Sequence, residues 1–211
     1  MNLGDIEKWE KMFSEYSEGK MLNIHGSYKG IGILRRNVLD VGCGDMEYLS
    51  YIERSEDNYL VGLDPSKNAL KLAKENAKNK NVALVRGVAE RLPFKKGSFN
   101  NALVIELMHH LSSLDNCRQV TEELYRVLNS EVFLTFHHSD YMKALQNNDD
   151  GEIYFDEASA IKMLGKAGFK CNKMEVLTSG DIWYVPTYKP WPKHLPPPET
   201  KAVILMECSK S

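Results

Sequence analysis

The chain has 211 residues, a formal net charge of −2 and 43% apolar residues. That length fits one large domain, whose core needs no staples because it buries roughly 70% of its unfolded surface. The charge argues against a large nucleic-acid footprint and leaves room for a local basic patch. The cysteines Cys43, Cys117, Cys171 and Cys208 are scattered, with no C-x-x-C pair. Neither a zinc site nor a disulfide framework is indicated, and reduced thiols in a cytoplasmic protein are the expectation. Met1 to Lys20 lacks the apolar core of a signal peptide, and no segment approaches the ~20 apolar residues of a membrane span.

In chain order, Ile6 to Tyr16 reads as an amphipathic helix, with Ile6, Trp9, Met12, Phe13 and Tyr16 at helical spacing. It precedes the first strand and is expected to pack across or near a ligand cleft. Strand one is expected at 37–42, a helix from about Met46 to Arg54, and strand two at 59–64. Ser66 starts the next helix, with Ala69, Leu70, Ala73 and Ala77 on one face. Strand three is Val82 to Arg86, and strand four is Asn101 to Glu106, apolar as a doubly covered parallel strand requires. Asp115 is a candidate cap for a helix carried by Val120, Leu124, Val127 and Leu128. Strand five is Val132 to Phe136. Asp156 starts a helix that stops at Gly168. Strand six lies in Asn172–Leu177 or in Ile182–Val185, and Ala202 to Met206 is the last strand. The run from Pro186 to Pro198, with Tyr188 and Trp191, reads as a stiff connector, with an aromatic flap as the alternative.

Alternating strands and helices imply a Rossmann-like, doubly wound α/β fold, with a mostly parallel seven-stranded sheet and helices on both faces. One domain is expected over 1–211: a helical cap (1–36), a ligand-binding core (37–140) and a C-terminal part (141–211).

The most informative stretch is Val38-Leu39-Asp40-Val41-Gly42-Cys43-Gly44-Asp45. It is a buried strand breaking into a glycine turn, and Leu60-Val61-Gly62-Leu63-Asp64 follows as a second strand ending in an acid. That pairing is how α/β proteins hold an adenosine: glycines let backbone approach the ligand, and the acid accepts ribose hydroxyls. A nicotinamide fingerprint needs a third glycine where Glu47 stands, and Asp45 and Glu47 put negative charge where a pyrophosphate would sit. A cationic, phosphate-free cofactor is the better match.

Together with Gly87-Val88-Ala89-Glu90-Arg91-Leu92-Pro93-Phe94 and Ser98-Phe99-Asn100-Asn101-Ala102-Leu103-Val104, these motifs resemble a class I S-adenosylmethionine-dependent methyltransferase. The nearest flavour is the ubiquinone and menaquinone-biosynthesis group, and the resemblance covers about residues 37–136. It implies methyl transfer from S-adenosylmethionine, leaving S-adenosylhomocysteine. It also implies that Asp40, Gly42, Gly44 and Met46 lie at the methionine end of the cofactor, and that Asp64 takes the ribose. Pro65, Ala89 and Glu90 would flank the adenine, while Glu106 and Leu107 would face the sulfonium and the acceptor. The family usually has glycine at Met46, an acid at Val88 and Pro-Gly-Gly where Asn129-Ser130-Glu131 stands.

Glu106, His109 and His137 are the candidate catalytic groups, with His110 also in reach of the acceptor; histidine suits proton transfer near neutral pH. No metal is expected, on the ground that adjacent histidines in a strand point to opposite faces. The expected acceptor is a small molecule, roofed by the N-terminal helix and the Trp183–Trp191 segment. A tRNA or protein acceptor, or a non-catalytic binding domain of the same fold, is the alternative. The oligomeric state is not legible.

Overall fold

The computed structural model describes residues 3–16, 36–46, 49, 58–78, 81–145, 152–182 and 200–210. The elements among them are α1 (Leu3–Tyr16), β1 (Asn37–Val41), β2 (Tyr59–Asp64), α2 (Lys67–Asn76), β3 (Val82–Arg86), β4 (Phe99–Val104), α3 (Leu114–Val127) and β5 (Leu128–His137). They continue with α4 (Ser139–Leu145), α5 (Glu157–Ala167), β6 (Phe169–Thr178), α6 (Ser179–Ile182) and β7 (Lys201–Lys210). A single 3₁₀ turn, Met108–His110, sits between β4 and α3.

The strands form one seven-stranded sheet in the order β3-β2-β1-β4-β5-β7-β6. The first five run parallel, and β7 is antiparallel to both β5 and β6. Crossing from β3 back to β4 reverses the strand order beside β1, and ligands of open α/β sheets bind outside the carboxyl ends at such a switch. The sheet is covered on both faces. On one, Leu39, Val41, Val61 and Leu63 pack under α3 and α5 through Val120, Leu124, Ala160 and Leu164. On the other, Val38, Leu60 and Leu103 pack with Ala73 of α2. Strands buried on both faces carry near-continuous apolar sequence, which is why β1 and β2 were legible.

Local chemistry places most helix ends as expected. Ser66 caps α2 by accepting from the Ala69 N–H. Asp156 and Ser159 form a reciprocal capping box on α5, and Gly168 closes that helix at φ 102°. The start of α3 differs: Ser113 is the cap, accepting from Asn116 N–H, and Asp115 lies in the first turn. There a carboxylate interacts with the helix dipole rather than with one amide. Asn129-Ser130-Glu131 is not a turn, because β5 begins at Leu128 directly after α3. Asn129 Nδ2 donates to Gly97 O across that junction. Strand six is Phe169–Thr178, and α4 and α6 were not foreseen. Most of the expected 46–54 helix, and the whole 183–198 segment with its prolines, lie outside the described residues.

Candidate active site

The glycine turn follows β1 at the carboxyl edge. Gly42 and Gly44 take φ values of +73° and +52°, which side chains rarely adopt. Gly42 N–H donates to Leu63 O at 2.8 Å, tying the turn to the end of β2. Leu107 presses on Gly42, where an added Cβ would lie 2.9 Å from Leu107 Cδ1. Asp64 ends β2, and its carboxylate accepts from Gly44 N–H at 3.0 Å and Ser66 N–H at 2.9 Å. Burial lifts the Asp64 carboxyl to about 6, although the two amide hydrogen bonds oppose it. Asp40 is buried on β1, in register with Gly62 of β2 and Leu103 of β4.

Met46 stands where the resemblance would have a glycine. Its backbone does take the left-handed conformation a glycine would favour, at φ 56°. Yet the side chain is fully buried, and its Cε lies 3.0 Å from where a Cβ on Gly62 would be. It packs with Val38, Cys43 and Leu60 in the core instead. Pro65 is buried, and its carbonyl accepts from Arg86 Nε at 2.8 Å. Ala89 is buried, and Glu90 is tied to α3 by a 2.8 Å hydrogen bond from Asn116 Nδ2.

Helix α1 lies over the turn, as its amphipathic pattern suggested. Phe13 reaches the space beside Gly44. Glu10, which the sequence did not single out, accepts from Lys67 N–H at 2.8 Å, Asn68 N–H at 3.1 Å and Ser66 Oγ–H at 3.1 Å. Arg86 Nη2 sits 3.3 Å from the same carboxylate. Burial raises the Glu10 carboxyl, but those contacts together outweigh it and hold the group below its usual range.

The second half of the site lies past β4 and at the end of β5. Glu106 is held at φ 54°, a strained backbone for a side-chain-bearing residue and of the kind that clusters at functional sites. Glu106 N–H donates to Thr135 Oγ1 at 2.7 Å, and the Thr135 hydroxyl returns a 3.2 Å bond to Glu106 Oε1. Glu106 Oε2 is 2.7 Å from His137 Nε2 and 4.0 Å from His109 Nε2. His109 stacks on His137 with ring centroids 3.4 Å apart, and the tilted His110 ring lies 3.8 Å from His109. The three sequence-predicted groups are therefore brought together.

Two features were not foreseen. His109 and His110 occupy a 3₁₀ turn rather than a strand, so their rings meet instead of diverging. Divergence holds only for His137 and His138, since His138 turns away to Glu157 and the Asp140 N–H. Glu152 also joins the cluster, 3.2 Å from His110 Nδ1 and 3.5 Å from His137 Nδ1. It arrives because Ile153 N–H donates to His109 O and Phe155 N–H to His137 O. A lone glutamate in a polar loop carries no sequence signal for this.

The charges sort by environment. Burial, then the neighbouring imidazoles, push His109 well below its ordinary value, so it is neutral. Burial also disfavours charge on His137, but Glu106 and then Glu152 outweigh it and lift that group to about 9. Burial raises Glu152, and the facing histidines more than reverse this, leaving it ionised.

Comparison with known proteins follows the same lines. Residues 39–136 match the model of a methyltransferase domain. The demethylmenaquinone methyltransferase of Listeria welshimeri is 37% identical over 97 residues, which is 44% of this chain. The chain spans 40% of that relative's length. A SAM-dependent methyltransferase of Thermotoga maritima superposes with a TM-score of 0.67 at 18% identity, covering 98% of this chain and 100% of that one. A methyltransferase solved in complex with the Haloferax volcanii Trm112 methyltransferase activator gives 0.68 at 12% identity, covering 98% and 96%. By this match residues 39–136 carry the sequence pattern of a methyltransferase domain, and the fold is the one found in S-adenosylmethionine-dependent methyltransferases of known structure.

The donor set fits that cofactor. A carboxylate at the β2 tip, a glycine turn open to close approach, and acids at Asp40 and Asp45 suit a cationic, phosphate-free ligand.

Proposed function

We propose that this protein transfers the methyl group of S-adenosylmethionine to a small-molecule acceptor bound beside Glu106, His109 and His137. The observation that carries the reading is Glu106. It is strained into a left-handed conformation, clamped by Thr135 and His137, and placed two residues past the end of β4, the strand beside β1 and its glycine turn. Gly42, Gly44, Asp40 and Asp64 would hold the cofactor, and Pro65, Ala89 and Glu90 would line its adenine end. When bound, the cofactor supplies an electrophilic methyl group, so the chain's own task is to orient, desolvate and manage a proton.

The three polar groups divide that task. His109, neutral and only 1% exposed, shapes the pocket and does not compete for a proton. His137 carries a proton at neutral pH, between two carboxylates. Glu106 is the remaining acceptor, and the Glu106–His137 couple takes the proton of an acceptor hydroxyl or ammonium group. The name of the Listeria relative, a demethylmenaquinone methyltransferase, supports a quinone-type acceptor. We place the protein in the cytoplasm, a reading supported by the buried thiols of Cys43, Cys117 and Cys208. No helix among the described residues is long and apolar enough to cross a membrane.

Calorimetry with S-adenosylhomocysteine and with NAD tests the cofactor. Binding of the former alone is expected, weakened in Asp64→Ala by about 1.5–3 kcal/mol. Unchanged affinity in that variant removes Asp64 from the site. On an identified acceptor, Glu106→Gln should lower turnover by roughly 10²–10⁴ while cofactor affinity holds. Full turnover in Glu106→Gln would mean that positioning alone carries the reaction.

A further inference from the structure

We propose that His109, His110 and Glu152 bind one divalent transition-metal ion, with His137 and Glu106 as the outer groups that orient them. The site adjoins the acceptor end of the cleft described above, but ion binding requires neither cofactor nor acceptor.

The first observation is a set of buried imidazole nitrogens that make no hydrogen bond, two of them facing the Glu152 carboxylate. His109 Nδ1, His110 Nδ1 and His137 Nδ1 are buried, and none has a hydrogen-bond partner among the described residues. Buried polar atoms are nearly always satisfied, so three such nitrogens in one cluster need a reason. His109 is the most enclosed, at 1% exposure.

The second observation is the spacing. The candidate ligand atoms of His109, His110 and Glu152 all lie within 4.8 Å of one another. His110 Nδ1 and Glu152 Oε1 are 3.2 Å apart but lack hydrogen-bond geometry. Two ligands of one tetrahedral ion, each about 2.0–2.2 Å from it, sit about 3.3 Å apart and aim at the ion rather than at each other. The observed pair has that separation and that misalignment.

Ring orientation then chooses between two triads. Glu106, His109 and His137 also converge within the same limit. But His109 and His137 are stacked at 9°, and an ion cannot lie in two parallel ring planes at once. His109 and His110 are inclined at 56°, so their planes intersect and one ion can lie in both. The stacked pair is instead suited to the outer layer. Glu106 bonds His137 Nε2, His137 Nδ1 faces Glu152 Oε2 at 3.5 Å, and Tyr154 Oη donates to that same oxygen at 3.1 Å. Such outer partners fix the orientation of metal ligands.

The donor types set the ion class. Two imidazoles and one carboxylate suit zinc, iron(II), cobalt or nickel, whereas magnesium and calcium take all-oxygen sets and copper(I) takes sulfur. The side chains of His110 and Glu152 stay 23% and 22% exposed, so the ion keeps a side open to solvent. Three protein ligands and an open position make a catalytic rather than a structural metal site. An acceptor oxygen in that position would be polarised beside the Glu106–His137 couple.

The test uses the full chain, stripped with a chelator and titrated with Co(II) alone, with absorption read in the d–d region and Zn(II) as competitor. One ion per chain with the intense bands of low coordination is expected. His110→Asn and Glu152→Gln, both partly exposed positions, should each weaken binding by about a hundredfold or more, and Glu106→Gln by about tenfold. Glu175→Gln, on the exposed edge strand β6, should leave it unchanged. Absence of the bands, or undiminished binding in both His110→Asn and Glu152→Gln, overturns the site. Circular dichroism checks the fold of each variant, and S-adenosylhomocysteine calorimetry runs on the same samples. Cofactor binding without metal binding defeats this inference alone; metal binding without cofactor binding defeats the methyltransferase reading alone.

Discussion

Two residues carry opposite balances of local strain and long-range gain. Met46 holds a left-handed backbone, a cost of about 1–3 kcal/mol, because its side chain fills the core against Gly62. Met46→Gly would relieve that strain and leave a cavity. Loss of a buried methionine side chain costs about 2–5 kcal/mol, so after the relieved strain a net destabilisation of about 1–2 kcal/mol is expected in urea unfolding. A variant as stable as the parent would show that the side chain contributes little to the core. Asp64 is the reverse case, a group whose burial costs stability in the absence of ligand. Its folded value of about 6 exceeds its ordinary value of 3.8, so the penalty is absent below about pH 4 and complete above about pH 6. Asp64→Asn removes that dependence. Relative to the parent, it should gain on the order of 3 kcal/mol between pH 4 and pH 7.5, read from unfolding at both. A pH-independent difference between the two proteins would refute the shift. Neither balance was legible in the sequence, which shows residue types but not the sign of φ or the direction of a side chain.

At the scale of elements, the contact to watch is between α1 and α2. A helix leaves its first amides without partners, and here Glu10 of another helix supplies them for Lys67 and Asn68. This couples the lid over the glycine turn to the helix that follows Asp64. Loss of a cap costs about 0.5–2 kcal/mol, so Glu10→Ala should speed hydrogen exchange at those two amides and weaken cofactor binding, while exchange in β1 and β4 stays slow. Unchanged protection at Lys67 and Asn68 would mean that water replaces Glu10 without loss. The strands that pair in parallel were readable because burial on both faces leaves an unbroken apolar run. The short α4 and α6 were not, since helices of 7 and 4 residues carry too little periodicity to register.

At the scale of the whole molecule, a net charge of −2 with only short basic pairs such as Lys95-Lys96 sets an expectation about partners. Binding of tRNA at physiological salt should be no tighter than the roughly 10⁻⁴–10⁻⁶ M of non-specific contacts. Sub-micromolar affinity with a steep salt slope would move the acceptor to RNA. The cofactor half of the site was legible because it follows from one contiguous strand-turn-helix and the tip of the next strand. The acceptor half was only partly so. Glu106, His109 and His137 could be named from their place after β4 and β5, but their convergence with His110 and Glu152 depends on a 3₁₀ turn and on backbone bonds from Ile153 and Phe155.

The position of β7 has a consequence for how the chain is made. It lies between β5 and β6, so β6 has no sheet to join until residues 201–210 have been synthesised. During translation the parallel half of the sheet can form, but the open side of β5 waits as a bare edge, ready to pair with a neighbouring nascent chain. Val203 to Met206, the buried stretch that closes that edge, is therefore the segment whose late arrival sets the window for misassembly.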